Sequence, residues 1–95
     1  MVTPRPYTDF YEHDIKDSYT RCFSRDVDLN ELVWHRDAED RLVTVLAGGG
    51  WGFQYDNKMP QPLSVGSTLS IPKMTYHRLL KGTTDLRLKI VKLST

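Results

Sequence analysis

His35 and Asp37, in the stretch WHRDAEDR at residues 34–41, and His77 further along are the residues whose types and spacing could do chemistry. Side chains two apart on a strand point the same way, so Val33, His35 and Asp37 share one face and Trp34 and Arg36 the other. If Val33 faces an interior, the His-x-Asp pair faces it too, and burying that pair is costly without compensation. A metal ion compensates, because a neutral imidazole and a carboxylate become ligands about 2 Å from the cation. The alternative is an exposed polar strand end, which two residues on their own favour. A third donor is needed. His77, in GSTLSIPKMTYH just after a proline-marked turn, is the candidate among the 3 histidines. His13 lies in an N-terminal arm and reads as a surface histidine.

The chain that must position them has 95 residues, room for one domain and one core. Hydrophobic residues at 39% and charged residues at 26% are ordinary for a soluble globular protein. A net charge of +1 without a clustered basic stripe argues against a nucleic-acid surface. No apolar run approaches the length of a membrane span. The opening MVTPRPYTDFYEHD has no apolar core and does not fit a secretory signal, and the single Cys22 has no internal disulfide partner. Cytoplasmic residence is the expectation. Cys22 reads as a small core residue.

Residues 1–17 read as an arm or short strand packing on the domain, and residues 18–95 as a single β-barrel domain. Residues 18–25 alternate, 26–30 look like a turn, 31–37 read as a strand and 38–40 as a turn. Residues 41–47 are rich in β-branched side chains, and the glycines 48–50 break them; no helix follows, so these do not form a phosphate loop. Residues 51–55 lead into Asp56-Asn57-Lys58, a hairpin turn. Strands over 67–71, 76–80 and 85–93 complete the series, with 81–84 as the last turn. On the last strand Leu86, Leu88 and Ile90 share a core face, with Arg87 and Lys89 opposite. No window sustains a helical period, so the pattern predicts an all-β sandwich or barrel.

Strand parity with Val43 and Val45 turns Arg41 inward, to pair with Asp37 or Asp40 or to hold a substrate carboxylate or phosphate. Glu39 and Asp40 read as turn residues, with either available as a replacement ligand if the register shifts by one. Trp51, Phe53 and Tyr55 fit core or dimer packing, with Gln54 on the other side and facing the cavity. Tyr76 and Arg78 alternate out of the face of His77 and read as rim or interface residues.

The spacing resembles the two motifs of the cupin superfamily of small β-barrels, G-x5-H-x-H-x3,4-E-x6-G and G-x5-P-x-G-x2-H-x3-N. The second fits as Gly66, five residues, Pro72, one residue, Met74, two residues, His77. The first fits as His35-x-Asp37, three residues, Arg41, six residues, Gly48. The match spans residues 29–81, and the 17 residues between Gly48 and Gly66 suit single-domain members. Leu29, Met74 and Lys81 stand where the family has Gly, Gly and Asn; Asp37 replaces the second His and Arg41 the ligand Glu.

The resemblance implies a small antiparallel β-barrel or jelly roll, paired as a homodimer with the N-terminal arm crossing to its partner. It implies His35, Asp37 and His77 as ligands of a divalent ion. Two histidines and one carboxylate form the triad favoured by non-haem Fe(II), with Mn, Ni, Zn or Co as other candidates. Three functions are compatible with it. One is a metal-dependent enzyme, oxygenase-like or isomerase-like, acting on a small anionic molecule anchored by Arg41. Another is a metal-free cupin that binds or isomerises a sugar or sugar nucleotide, with His77 or His35 as base and Asp37 orienting it. The last is a non-catalytic small-molecule-binding or regulatory module.

Overall fold

Alternation of apolar and polar residues sets the strands, and turn residues separate them. The computed structural model describes residues 6–12 and 17–93. They form β1 (Thr8–Tyr11), β2 (Ser18–Phe23), β3 (Asp40–Ala47), β4 (Gly52–Tyr55), β5 (Gln61–Pro62), β6 (Thr68–Ile71), β7 (His77–Leu80) and β8 (Leu86–Leu93). Every ladder is antiparallel, in a sheet of order β1-β2-β8-β3-β6 and a smaller one of order β5-β4-β7. This is an all-β, two-sheet barrel of the jelly-roll kind. Among the described residues no helix is long and apolar enough to cross a membrane.

The inner faces of the two sheets close on one core. Leu86, Leu88 and Ile90 of β8 are buried, while Arg87 between them is exposed. Val43 and Val45 of β3 lie opposite Ile90 and Leu88, and Tyr19 and Phe23 of β2 lie opposite Ile90 and Leu86. Phe53 of β4 and the preceding Trp51 close the layer from the smaller sheet. Burial of these side chains, at about 25 cal/mol per Å² of apolar surface, is the main favourable term holding the sheets together. Cys22 is not in this core. It is half-buried on the outer row of β2, opposite Thr8 and Arg87, because Tyr19, Arg21 and Phe23 take the inward parity.

The glycines at 48–50 let two loops approach closely. Gly49 O accepts from Thr83 N at 2.9 Å, and Thr84 Oγ1 accepts from Gly49 N at 2.7 Å. Trp51 Nε1 donates to Thr84 O at 2.6 Å. A Cβ on Gly82 would collide with the Gly49 carbonyl and with Trp51, so that position needs glycine.

Residues 31–37 are not the strand that alternation suggested. Asp28 caps a short 3-10 turn, Leu29–Glu31, by accepting from Asn30 N at 2.9 Å. The chain then meets β7 only through an isolated bridge at His35. On either side the backbone turns elsewhere: Leu32 N closes the 3-10 turn on Leu29 O, and Asp37 O accepts from Met74 N at 2.7 Å.

Met74, where the resembled motif has glycine, lies between β6 and β7 with φ at 59°. A side chain there costs about 1 kcal/mol, and that of Met74 is itself half exposed. Met74→Gly is expected to raise stability by roughly 0.5–1 kcal/mol in chemical denaturation. Met74→Ala, which keeps a Cβ, should show no such gain.

Candidate metal centre

The site begins with backbone pairing. His35 N donates to His77 O at 3.0 Å, and His77 N donates to His35 O at 2.9 Å. Residues that face each other across such an antiparallel pair project on the same side. The two imidazoles therefore lie together, with ring centroids 4.3 Å apart. Asp37, two residues on in an extended segment, keeps the parity of His35. Ligand atoms of His35, Asp37 and His77 lie within 4.8 Å of one another, so the three donors named from sequence are brought together.

Hydrogen bonds decide what each donor offers. His77 Nδ1 is 2.8 Å from Thr75 O, and His35 Nδ1 is 3.1 Å from Val33 O. A carbonyl oxygen only accepts, so each Nδ1 carries a proton, and in a neutral ring it is Nε2 that presents the lone pair. A carbonyl partner of this kind is the usual second contact of a metal-bound histidine. His77 Nε2 lies 3.4 Å from Asp37 Oδ2, which is buried with no hydrogen-bond partner. Burial pushes the pKa of His77 below its ordinary value, against the opposing pull of the Thr75 carbonyl, and keeps the ring neutral. Two acceptor atoms then face each other across a gap that a cation would satisfy. Two imidazole nitrogens and one carboxylate oxygen suit a divalent transition metal. Phe53 stacks on the His77 ring at 5.5 Å between centroids and limits its rotation.

Arg41 lines the same cavity from the inner face of β3. Its Nε and Nη2 both donate to Glu39 Oε1, at 2.9 and 2.8 Å, and Nη2 lies 3.4 Å from Asp37 Oδ1. The guanidinium that was expected to anchor a substrate anion already faces two carboxylates. Of these, Asp37 was an expected partner and Glu39 was not. Asp40 instead accepts from Lys73 N at 2.7 Å and pins the 72–76 turn to β3. Neither Glu39 nor Asp40 belongs to the donor group, so the one-residue register shift is not realised.

A cavity of about 400 Å³ opens between the sheets over these donors. Arg21, Glu31, Tyr7 and Phe53 line it and were not assigned to the site from sequence. Arg21 donates from Nε and Nη2 to both Asp9 oxygens at 2.8 and 3.0 Å, with its guanidinium 3.6 Å over the Tyr7 ring. The signal for Arg21 was available: in SYTRCF it shares parity with Tyr19 and Phe23. Gln54, expected to face the cavity, is turned outward, accepting from Arg78 Nε and donating to Lys58 O, each at 3.0 Å. Behind the site Arg78 stacks on Trp34 and Arg36 on Tyr76, on the face opposite the histidines. His13 lies outside the described residues.

No protein-family model and no curated protein matches the chain. Solved structures do. The DMSP lyase DddQ from Ruegeria pomeroyi DSS-3 superposes with a TM-score of 0.69 at 14% identity, over 81% of this chain and 37% of that one. The chain thus spans little more than a third of that lyase. A cupin-2 domain containing protein from Shewanella frigidimarina NCIMB 400 gives 0.67 at 16% identity, over 97% of this chain and 85% of that one. Fe(II) HppE gives 0.64 at 17% identity, over 80% of this chain and 41% of that one. At such identities the likeness speaks for architecture, and it agrees with the sheet order and the barrel. The chain has the cupin fold.

Proposed function

We propose that this chain is a divalent-metal-dependent enzyme that binds its ion through His35, Asp37 and His77. Fe(II) is the favoured ion, with Mn, Ni, Zn and Co as alternatives, and the substrate is a small molecule held between the sheets. The observation that carries the reading is the gathering of one donor atom each from His35, Asp37 and His77 within 4.8 Å, around a buried, unpartnered Asp37 Oδ2 that lies 3.4 Å from His77 Nε2. When bound, such an ion supplies a Lewis acid with open positions and, for iron, a redox centre, which fits oxygenase-like or isomerase-like chemistry. Fe(II) HppE among the structural neighbours supports the same choice of ion.

The remaining work falls to the chain's own groups. The Thr75 carbonyl and the Phe53 ring hold the His77 imidazole in one tautomer and one plane. Arg41, braced by Glu39, contacts Asp37 Oδ1 and leaves Oδ2 turned toward His77. Apolar side chains from both sheets form most of the cavity wall. The reading includes a cytoplasmic homodimer, for which the exposed Phe10 and Tyr11 on edge strand β1 offer apolar surface.

A metal-free enzyme with His77 as base and Asp37 as its orienting carboxylate rests on the same 3.4 Å contact. It leaves the His35 Nε2 without a role. Metal analysis separates the two. Protein reconstituted with Fe, Mn, Ni, Zn or Co is expected to hold one ion per chain, and His77→Ala should lose at least about tenfold in affinity. Absence of bound metal after all five would sink the metal reading.

The lowered pKa of His77 also has a consequence for stability. Below the ordinary histidine value of about 6.5 the unfolded chain binds more protons at this position than the folded one. The contribution is therefore complete above that pH and is lost as pH falls through the folded-state value. Denaturation midpoints of the metal-free protein should fall as pH is lowered from about 6.5 through the folded-state value. His77→Gln should reduce that drop; an unaltered pH dependence in the variant would contradict it.

A further inference from the structure

We propose that the cavity takes a small, largely apolar molecule with a single polar head directed at the metal centre, and not a sugar phosphate or other polyanion. The placement of the head rests on the metal reading above; the character of the walls does not.

The walls are the first observation. Phe23, Val43 and Ile90 from the larger sheet and Phe53, Leu79 and the neighbouring Leu63 on the other side enclose the space above the histidines. A sugar ring carries a hydroxyl on most of its carbons. Placed here, those hydroxyls would give up hydrogen bonds to water and meet aliphatic and aromatic carbon. A hydrocarbon body gains from the same contact, at roughly three- to fourfold in affinity per buried methylene.

The balance of charge is the second. Arg21 and Arg41 are the cations that reach the cavity among the described residues. Arg21 is matched by Asp9, whose two oxygens accept its Nε and Nη2, and its flat face is covered by Tyr7. Arg41 is matched by Glu39 and Asp37. Glu31 adds a further carboxylate to the wall. Two arginines thus stand against four carboxylates, an excess of two negative charges that one divalent ion offsets. Among the described residues no positive charge at the cavity is left over to recognise a phosphate or a second carboxylate. Arg41 is a positioning residue for Asp37 and not an anchor for substrate.

The test uses alkanohydroxamic acids, whose head chelates a divalent metal while the tail length varies. Cobalt-loaded protein is titrated with acetohydroxamic, butanohydroxamic and octanohydroxamic acid, followed by cobalt absorbance. Octanohydroxamic acid is expected to bind at least about tenfold more tightly than acetohydroxamic acid. Leu63→Asn and the same change at Leu69, which lines the cavity from β6, should each shrink that ratio while leaving acetohydroxamic acid little changed. Equal affinity along the series, or displacement of octanohydroxamic acid by an equal concentration of glucose 6-phosphate, would overturn the proposal. The metal-free protein is titrated in parallel with n-butanol and n-octanol, followed by thermal shift. A preference for octanol in a protein that takes up no metal supports the apolar cavity and defeats the metal centre. Metal uptake with no tail dependence in either series defeats the apolar cavity and leaves the metal centre standing.

Discussion

The pair of backbone hydrogen bonds exchanged by His35 and His77 is the constraint on which the site depends. His77 opens β7 and pairs across its other edge with Tyr55 of β4, so this position joins an extended loop, a strand end and the smaller sheet. Reciprocal pairing leaves the two imidazoles no choice of side. Once they lie together, the carbonyls of Val33 and Thr75 hold their Nδ1 atoms, and a ring nitrogen of each lies within 4.8 Å of the other and of Asp37. A single bridge is enough because the turn before β7 is held independently, by Asp37 O on Met74 N and by Asp40 on Lys73 N.

Around that pair the charges form a chain. Glu39 braces Arg41, Arg41 contacts one oxygen of Asp37, and the other oxygen of Asp37 faces His77. Such a chain is costly to bury unless each member is matched. Here the unmatched member is Asp37 Oδ2, which lies where a cation would complete the set. The arginine that stands where the resembled motif has glutamate thus contacts Asp37 and lies outside the donor group. Among the described residues the same matching leaves no unpaired arginine at the cavity, whose walls are mostly apolar.

Much of this was legible in the residues because extended backbone keeps its period of two whether or not it belongs to a ladder. His35 and Asp37 share a side although residues 31–37 are no strand, and Leu86, Leu88 and Ile90 face the core as alternation required. Whether an extended stretch finds a continuous partner depends on chain far away in sequence, which alternation does not encode. The Asp9–Arg21 pair was hidden for the same reason, since the register of β1 on β2 creates it. Glu39 is a different case: it shares parity with Arg41, and that spacing already allowed their pairing. Reading Glu39 as a turn residue concealed it. Met74 hid its left-handed backbone because the side chain carries no sign of it; the motif position alone hinted at glycine.

The most direct measurement is X-ray absorption at the metal edge of protein reconstituted with iron or cobalt. Scattering from two imidazoles and from oxygen at about 2.0–2.2 Å is expected, with one imidazole lost in His35→Ala and one in His77→Ala. A spectrum without imidazole scattering, or one that neither substitution changes, would contradict a centre built on the His35–His77 pair.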